Sequence, residues 1–327
     1  MTKPLDVLAI GNAIVDVIAA ADDAFLTAQG LDKGSMRLID ADEAERLYGV
    51  MGPGREVSGG SGANAAAGIA ALGGNVAFIG RVADDQLGQV FAHDIRAAGV
   101  DYLTPFADSG NPTARCLIMV TPDAQRTMNT FLGASQDLTE ADVDYSLVAQ
   151  AGITYLEGYL WDPPAPRAAM AKALTVAREA GRKVAFTLSD AFCVERHRDD
   201  FLMLANGKVD VLFANEVEIK SLFQTEDFDT AIRAIQGKLP IAVVTRSEKG
   251  ALVVTPDDLV AVPAAPVDRI VDTTGAGDLF AAGFLAGLAQ GRSHADCARL
   301  GAIAAAEVIS HYGARPEADL KALTASV

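Results

Sequence analysis

The segment Val271-Asp272-Thr273-Thr274-Gly275-Ala276-Gly277-Asp278, followed by the apolar run Leu279 to Leu288, is the most informative stretch of the 327-residue chain. Two glycines and an alanine at the head of a helix leave backbone N–H groups bare and turned toward one point, with the positive end of the helix dipole behind them. Gly275, Ala276 and Gly277 therefore read as an anion hole. Asp278 falls in the first turn, where a carboxylate beside an incoming phosphate is costly unless it takes a proton from the nucleophile. An ordinary helix-start acid on a tight turn would account for Asp278 alone, but it needs neither the second glycine nor the flanking Asp-Thr-Thr. The stretch predicts phosphoryl transfer, with Asp278 as the base.

Other phosphate motifs are excluded by inspection. No Gly-x-x-x-x-Gly-Lys-Ser/Thr run occurs, and Gly60-Ser61-Gly62-Ala63-Asn64 lacks the third glycine of a dinucleotide fingerprint and does not follow the first strand. The longer stretch Ser58 to Asn64 lets a ligand approach the backbone at Gly59 and Gly60, and Asn64 can both donate to and accept from a hydroxylated substrate.

Patterning along the chain predicts an α/β protein. Asp6 to Ile10 and Ile14 to Ala20 read as strands, the second with Asp16 inside an apolar run; Ser35 to Ile39 reads as another, and this opening shows no long helix. An Ala-rich helix from Asn64 to Leu72 leads into a strand at Val76 to Ile79 and a helix at Gln86 to Ala98. Ala114 to Val120 and Thr127 to Leu132 flank a turn and read as a hairpin. After Ile153 strands and helices alternate regularly, which favours a mostly parallel sheet covered on both faces. The two strand-rich pieces are expected to pair into a small sheet of their own.

A net charge of -16 and a pI near 4.6 argue against nucleic-acid binding and against anionic membrane surfaces, because both require a cationic face. Cys116, Cys193 and Cys297 are odd in number and widely spaced, which points to reduced thiols rather than disulfides or zinc. Asp6, Asn12 and Asp16 interrupt the N-terminal apolar stretch, so no signal peptide is read and a cytoplasmic protein is expected. Composition leaves oligomeric state open.

Gly59-Gly60 with Asn64, together with Asp272 to Asp278, resembles the paired signatures of the ribokinase family, the PfkB-type carbohydrate and nucleoside kinases. Asn215-Glu216-Val217-Glu218 is similar to the family's Asn-x-x-Glu, and Thr245-Arg246-Ser247-Glu248-Lys249-Gly250 to its nucleotide loop, with Ser247 where glycine is usual. The resemblance spans nearly the whole chain and implies one ribokinase-like unit over residues 1–327. Its fold would be a Rossmann-like three-layer α/β/α domain with a small β-sheet lid formed by insertions at about 12–50 and 111–135.

By the same resemblance, Asn12, Asp16, Gly59, Gly60 and Asn64 would hold the acceptor, and Asn215, Thr245, Ser247, Gly250 and Gly277 would hold ATP. Glu218 would act on Mg2+ through water, and Asp272 with Thr274 resembles a monovalent-cation loop, implying K+ activation. Gly11 to Asp16, Asn111 to Cys116, Glu157-Gly158-Tyr159-Leu160 and Phe186 to Phe192 look most like the adenosine kinase branch. A nucleoside needs a flat apolar slot, for which Met36, Phe131, Leu132, Tyr159 and Trp161 are candidates, Tyr159 first. A sugar kinase, or a silent nucleoside-binding regulator on the same scaffold, is the alternative.

Overall fold

Strands that are apolar along their whole length need cover on both faces, and the chain supplies it. The computed structural model describes residues 4–123 and 125–327. Fourteen strands occur among them: β1 (Val7–Ile10), β2 (Ile14–Ala20), β3 (Met36–Leu38), β4 (Gly54–Gly59), β5 (Val76–Ile79), β6 (Asp101–Tyr102), β7 (Ala114–Val120), β8 (Arg126–Phe131), β9 (Ile153–Glu157), β10 (Lys183–Thr187), β11 (Val211–Asn215), β12 (Ile241–Thr245), β13 (Ala251–Val254) and β14 (Leu259–Val262).

Nine strands form the large sheet, in the order β14-β13-β12-β11-β10-β9-β1-β5-β6. It is parallel except for the β12–β13–β14 meander at one edge. Alternate residues of these strands feed two separate cores. Val7, Ala9, Phe78, Tyr155 and Phe213 pack with the helices Ser61–Ala71, Ala276–Ala289 and His294–Val308 on one face. Leu8, Ile10, Leu156, Phe186 and Leu212 pack with Pro164–Glu179 and Ala191–Ala205 on the other. This is the expected three-layer α/β/α arrangement.

The strand-rich pieces do make a second sheet, ordered β3-β8-β7-β2-β4. Sequence reading missed two parts of this region. The helix Ala41–Val50 stands where no long helix was expected; Asp40 caps it through the Glu43 N–H at 2.9 Å, and only Ala44 and Leu47 are buried. β4 joins the sheet from beyond the expected insertion, pairing antiparallel with β2 so that Ile14 faces Gly59. Ala124, in the β7–β8 turn, lies outside the described residues. No helix among the described residues is long and apolar enough to cross a membrane.

Candidate active site

A cleft of about 650 Å³ opens between the two sheets, at the carboxyl ends of the parallel strands, where ligands of open α/β sheets bind. Two helix N-termini meet in it. The helix predicted from Asp278 begins two residues earlier, at Ala276, with Gly275 as its cap at φ 78° and no capping side chain. The helix predicted from Asn64 likewise begins at Ser61, because Gly60 at φ 100° ends β4 and its carbonyl accepts the Asn64 N–H at 2.8 Å. Asn64 therefore sits in a helical first turn and not in a loop.

These two starts bring Asp278 its partners. Ser61 Oγ donates to Asp278 Oδ1 at 2.6 Å, and Asn64 Nδ2 donates to Oδ2 at 2.9 Å. Burial raises the Asp278 carboxyl above its ordinary range, opposed by those two hydrogen bonds and by the Arg315 charge. Asn64 Oδ1 is buried and meets no protein donor among the described residues. A hydroxylated ligand would satisfy it.

The backbone amides at this helix start are not equivalent. The Ala276 N–H is already spent on the Thr273 carbonyl at 3.2 Å, which leaves the amides of Gly277 and Asp278, the second and third helical residues, without intrahelical acceptors. Gly277 is exposed, and a Cβ built on it would meet nothing within 4 Å. Packing therefore gives no reason for glycine there; close approach of a ligand to its backbone does. Gly277→Ala is expected to fold and to melt slightly higher, by about 0.5–1 kcal/mol of helix propensity, yet to lose phosphoryl transfer. Melting curves beside a steady-state assay check this, and undiminished turnover would refute the reading.

Asp16 reaches the cleft because β2 alternates, with Val15 and Val17 in the core and Ile14, Asp16 and Ile18 on the other face. Burial pushes its carboxyl up to about 6 against the opposing charges of Arg315 and Arg126. Gly59 makes room for it: a Cβ there would lie 2.4 Å from Asp16 Oδ2. Arg315 donates to the Ser58 carbonyl at 2.9 Å, to Ser58 Oγ at 2.8 Å and to the Ala63 carbonyl, tying β4 to the neighbouring helix start.

Glu157, at the end of β9, is fully buried and was not foreseen as a site residue. Its Oε1 accepts from both the backbone N–H and Nδ2 of Asn12 at 2.7 Å, and its Oε2 accepts from the Gly62 N–H at 2.6 Å. Burial raises its carboxyl to about 7, with the Asn12 and Gly62 donors opposing. Asn12, whose Oδ1 also accepts from Gln136 Nε2 at 3.1 Å, is 2 % exposed and fixed on both sides of its amide.

At the other end of the cleft, Asn215 and Glu218 form a reciprocal capping box on the helix Glu216–Leu222. Glu218 is buried, which lifts its carboxyl to about 7, with Asp190 and Asp278 adding to the rise and the Asn215 hydrogen bonds opposing it. Thr245 lines the cleft; Ser247 and Gly250 follow in a short turn outside its wall. Ser247 adopts φ 50°, so the loop keeps the left-handed path that glycine would take, at a cost of about 1–2 kcal/mol. Arg246 pins the turn through Glu216 at 3.0 Å.

The apolar slot is made partly of expected and partly of other residues. Met36, Leu132 and Tyr159 line the cleft, joined by Leu38, Met128 and Phe192. Phe131 and Trp161 do not. Phe131 falls on the covered face of β8, one step out of phase with Met128 and Thr130. Trp161 is 4 % exposed and packs edge-on against Phe186 and Phe201, with its Nε1 donating to Asp200 at 2.8 Å. Asp272 lies behind the cleft wall and Thr274 within it; both are engaged by Arg126 of β8.

Two helix N-termini, the Asp278 carboxylate and the partnerless Asn64 carbonyl oxygen meet in one cleft beside a separate small sheet, an arrangement suited to phosphoryl transfer onto a hydroxyl. The chain belongs to the pfkB family of carbohydrate kinases, whose profile matches residues 34–320. Among solved structures, an adenosine kinase from Sinorhizobium meliloti is 51% identical and covers 99% of both chains at a TM-score of 0.91. A probable sugar kinase from Rhizobium etli CFN 42 is 49% identical, with the same coverage and a TM-score of 0.92. Fructokinase-1 of Oryza sativa subsp. japonica is 29% identical over 71% of this chain and 74% of its own length.

Proposed function

We propose that the chain transfers the γ-phosphoryl group of ATP to the 5′-hydroxyl of a nucleoside, adenosine before others, yielding AMP. The observation that carries this reading is the apolar slot. Met36, Leu38, Met128, Leu132, Tyr159 and Phe192 extend the cleft beyond the Asp16–Asn64–Asp278 corner, and Met36 and Phe192 are 52% and 68% exposed. A pentose alone would fill the polar corner and leave these side chains in water, whereas a purine would cover them.

In this reading Asp16 accepts from one of the ribose 2′- and 3′-hydroxyls and Asn64 Oδ1 from the other. The Gly59–Gly60 backbone closes on the ring. Asp278 Oδ1 exchanges the Ser61 hydroxyl for the attacking 5′-hydroxyl and takes its proton as the oxygen bonds to the γ-phosphorus and ADP leaves. Because such transition states are loose, positioning and charge neutralisation contribute more than proton removal. The Gly277 and Asp278 amides face the transferring oxygens.

ATP would lie along Asn215 and the Thr245–Gly250 turn. Glu218 suits Mg2+ held through its water shell: the carboxyl is raised by burial and by two nearby acids, a field that a divalent cation relieves. Mg2+ would neutralise the phosphate oxygens.

Likeness to fructokinases and to a probable sugar kinase favours a second reading, a furanose sugar as acceptor. ADP release measured with adenosine, other nucleosides, ribose and fructose separates the two. The highest kcat/KM is expected with adenosine; a sugar exceeding it by more than about tenfold would replace the nucleoside reading. Tight nucleoside binding without turnover would point to the regulator.

A further inference from the structure

The loop that leads into the anion hole contains a carboxylate that must be paired. The Asp272 side chain is 4% exposed, and a buried carboxylate left without a compensating charge is strongly destabilising. An inorganic monovalent cation is one solution. The structure holds another.

Asp272 Oδ1 accepts from the Thr274 N–H at 3.1 Å and from Thr274 Oγ1 at 2.7 Å; Oδ2 accepts from the Gly313 N–H at 3.0 Å. The fourth partner is Arg126 Nη1, 2.8 Å from Oδ2 and 3.2 Å from Thr274 Oγ1. With about four lone-pair positions on a carboxylate, Asp272 is saturated. The Arg126 side chain is itself only 8% exposed and lies over the Tyr312 ring at 5.5 Å; Nη1 is the engaged nitrogen, while Nε and Nη2 are buried with no hydrogen-bond partner among the described residues. A K+ ion drawn to Asp272 would meet this guanidinium at close range in a weakly screened site, where like charges repel strongly. Asp272 and Thr274 as they stand do not fit a bound monovalent cation.

We propose that the Arg126 guanidinium is the resident cation of the Asp272–Thr274 loop, so that nucleotide binding and phosphoryl transfer here are independent of K+. The inference rests on the kinase reading of the anion hole and not on the identity of the acceptor. Arg126 reaches the loop because it opens β8 on the cleft-facing side, in phase with Met128 and Thr130. The small sheet thus delivers the compensating charge to the loop.

The test compares the whole protein in potassium, sodium and tetramethylammonium chloride at matched ionic strength. It reads melting temperature, affinity for a non-hydrolysable ATP analogue with Mg2+, and ADP release. The wild type is expected to vary by less than about twofold in affinity and rate across the three salts; a gain above about tenfold in K+ over tetramethylammonium overturns the proposal. Arg126→Met leaves Asp272 buried and unpaired. Its analogue affinity is expected to fall about tenfold in tetramethylammonium and to recover in K+, with a K+-specific rise in melting temperature. If Arg126→Met is as indifferent to K+ as the wild type, the loop has no cation requirement for Arg126 to meet, and the proposal fails. Arg126→Lys retains one charge and should stay indifferent to K+; a K+ response in it counts against the proposal, and this variant serves if Arg126→Met does not fold. Melting and analogue binding need no acceptor, so a wrong acceptor would silence ADP release alone.

Discussion

Asp278→Asn is expected to lower turnover by about 10²–10⁴-fold while leaving the protein folded and at least as stable at neutral pH. The loss should lie toward the lower end, because a loose transition state draws less on the base than on positioning. The stability follows from the site's own hydrogen bonds. Asp278 is a carboxyl whose ionisation burial opposes, so a neutral amide removes a cost. The new amide N–H would face Asn64 Nδ2, a donor, but Asn64 Oδ1 is a buried acceptor with no protein donor among the described residues. Rotating the Asn64 amide restores a donor–acceptor pair, and Ser61 Oγ can still donate to the new side-chain oxygen. Steady-state kinetics and a melting curve on one preparation check both halves. Near wild-type turnover would remove Asp278 from the chemistry; a collapse in melting temperature would make any loss of turnover uninformative and contradict the hydrogen-bond argument.

The residues that were legible in the sequence are those whose role is local. Asp278 announces itself through the glycines and threonines immediately before it, and Asp16 through its place in an alternating strand. Regular alternation after Ile153 carried the large sheet for the same reason. Glu157 could not be read in this way. It ends an apolar strand, and its importance arises only on meeting Asn12 and Gly62, 145 and 95 residues away. Arg126 and Arg315 are equally non-local, reaching Asp272 and Ser58 respectively. The errors in the apolar slot have a simpler origin. Phe131 precedes Leu132, and Trp161 shares the single turn Gly158–Trp161 with Tyr159, but neighbours on a strand or tight turn point in different directions, so proximity in sequence did not place them in the cleft. The helix Ala41–Val50 escaped notice because it buries only two side chains and carries charge elsewhere.

Removing the Glu157 side chain should be the most destabilising single change in the site. Glu157→Ala leaves the Asn12 N–H, Asn12 Nδ2 and the Gly62 N–H buried without their acceptor, at a cost of about 3–5 kcal/mol. It also frees the two chain segments that place Asn12 and the Ser61 helix start, so acceptor KM should rise even under conditions where the variant is folded. Glu157→Gln is the sharper probe, since it retains one acceptor and cannot ionise. The pH dependence follows from the directions of the shifts. Glu157 and Glu218 are raised to about 7 and Asp16 to about 6, so over that range the native protein holds protons that the unfolded chain releases above about pH 4. Stability from these groups is fully present below the unfolded pKa and is lost as pH rises through about 7. Ligand-free protein should therefore melt lower at pH about 8 than at about 5, and Glu157→Gln should flatten that slope. Activity should move the opposite way if Asp16 holds the acceptor as proposed, because it must be ionised to accept from the substrate hydroxyls. A wild-type melting temperature that climbs from acid to neutral pH, or a Glu157→Gln variant with an unchanged slope, would show that Glu157 is already fully ionised in the folded protein. Opposed trends would mean that the site holds its carboxylates under strain for the ligand that relieves them.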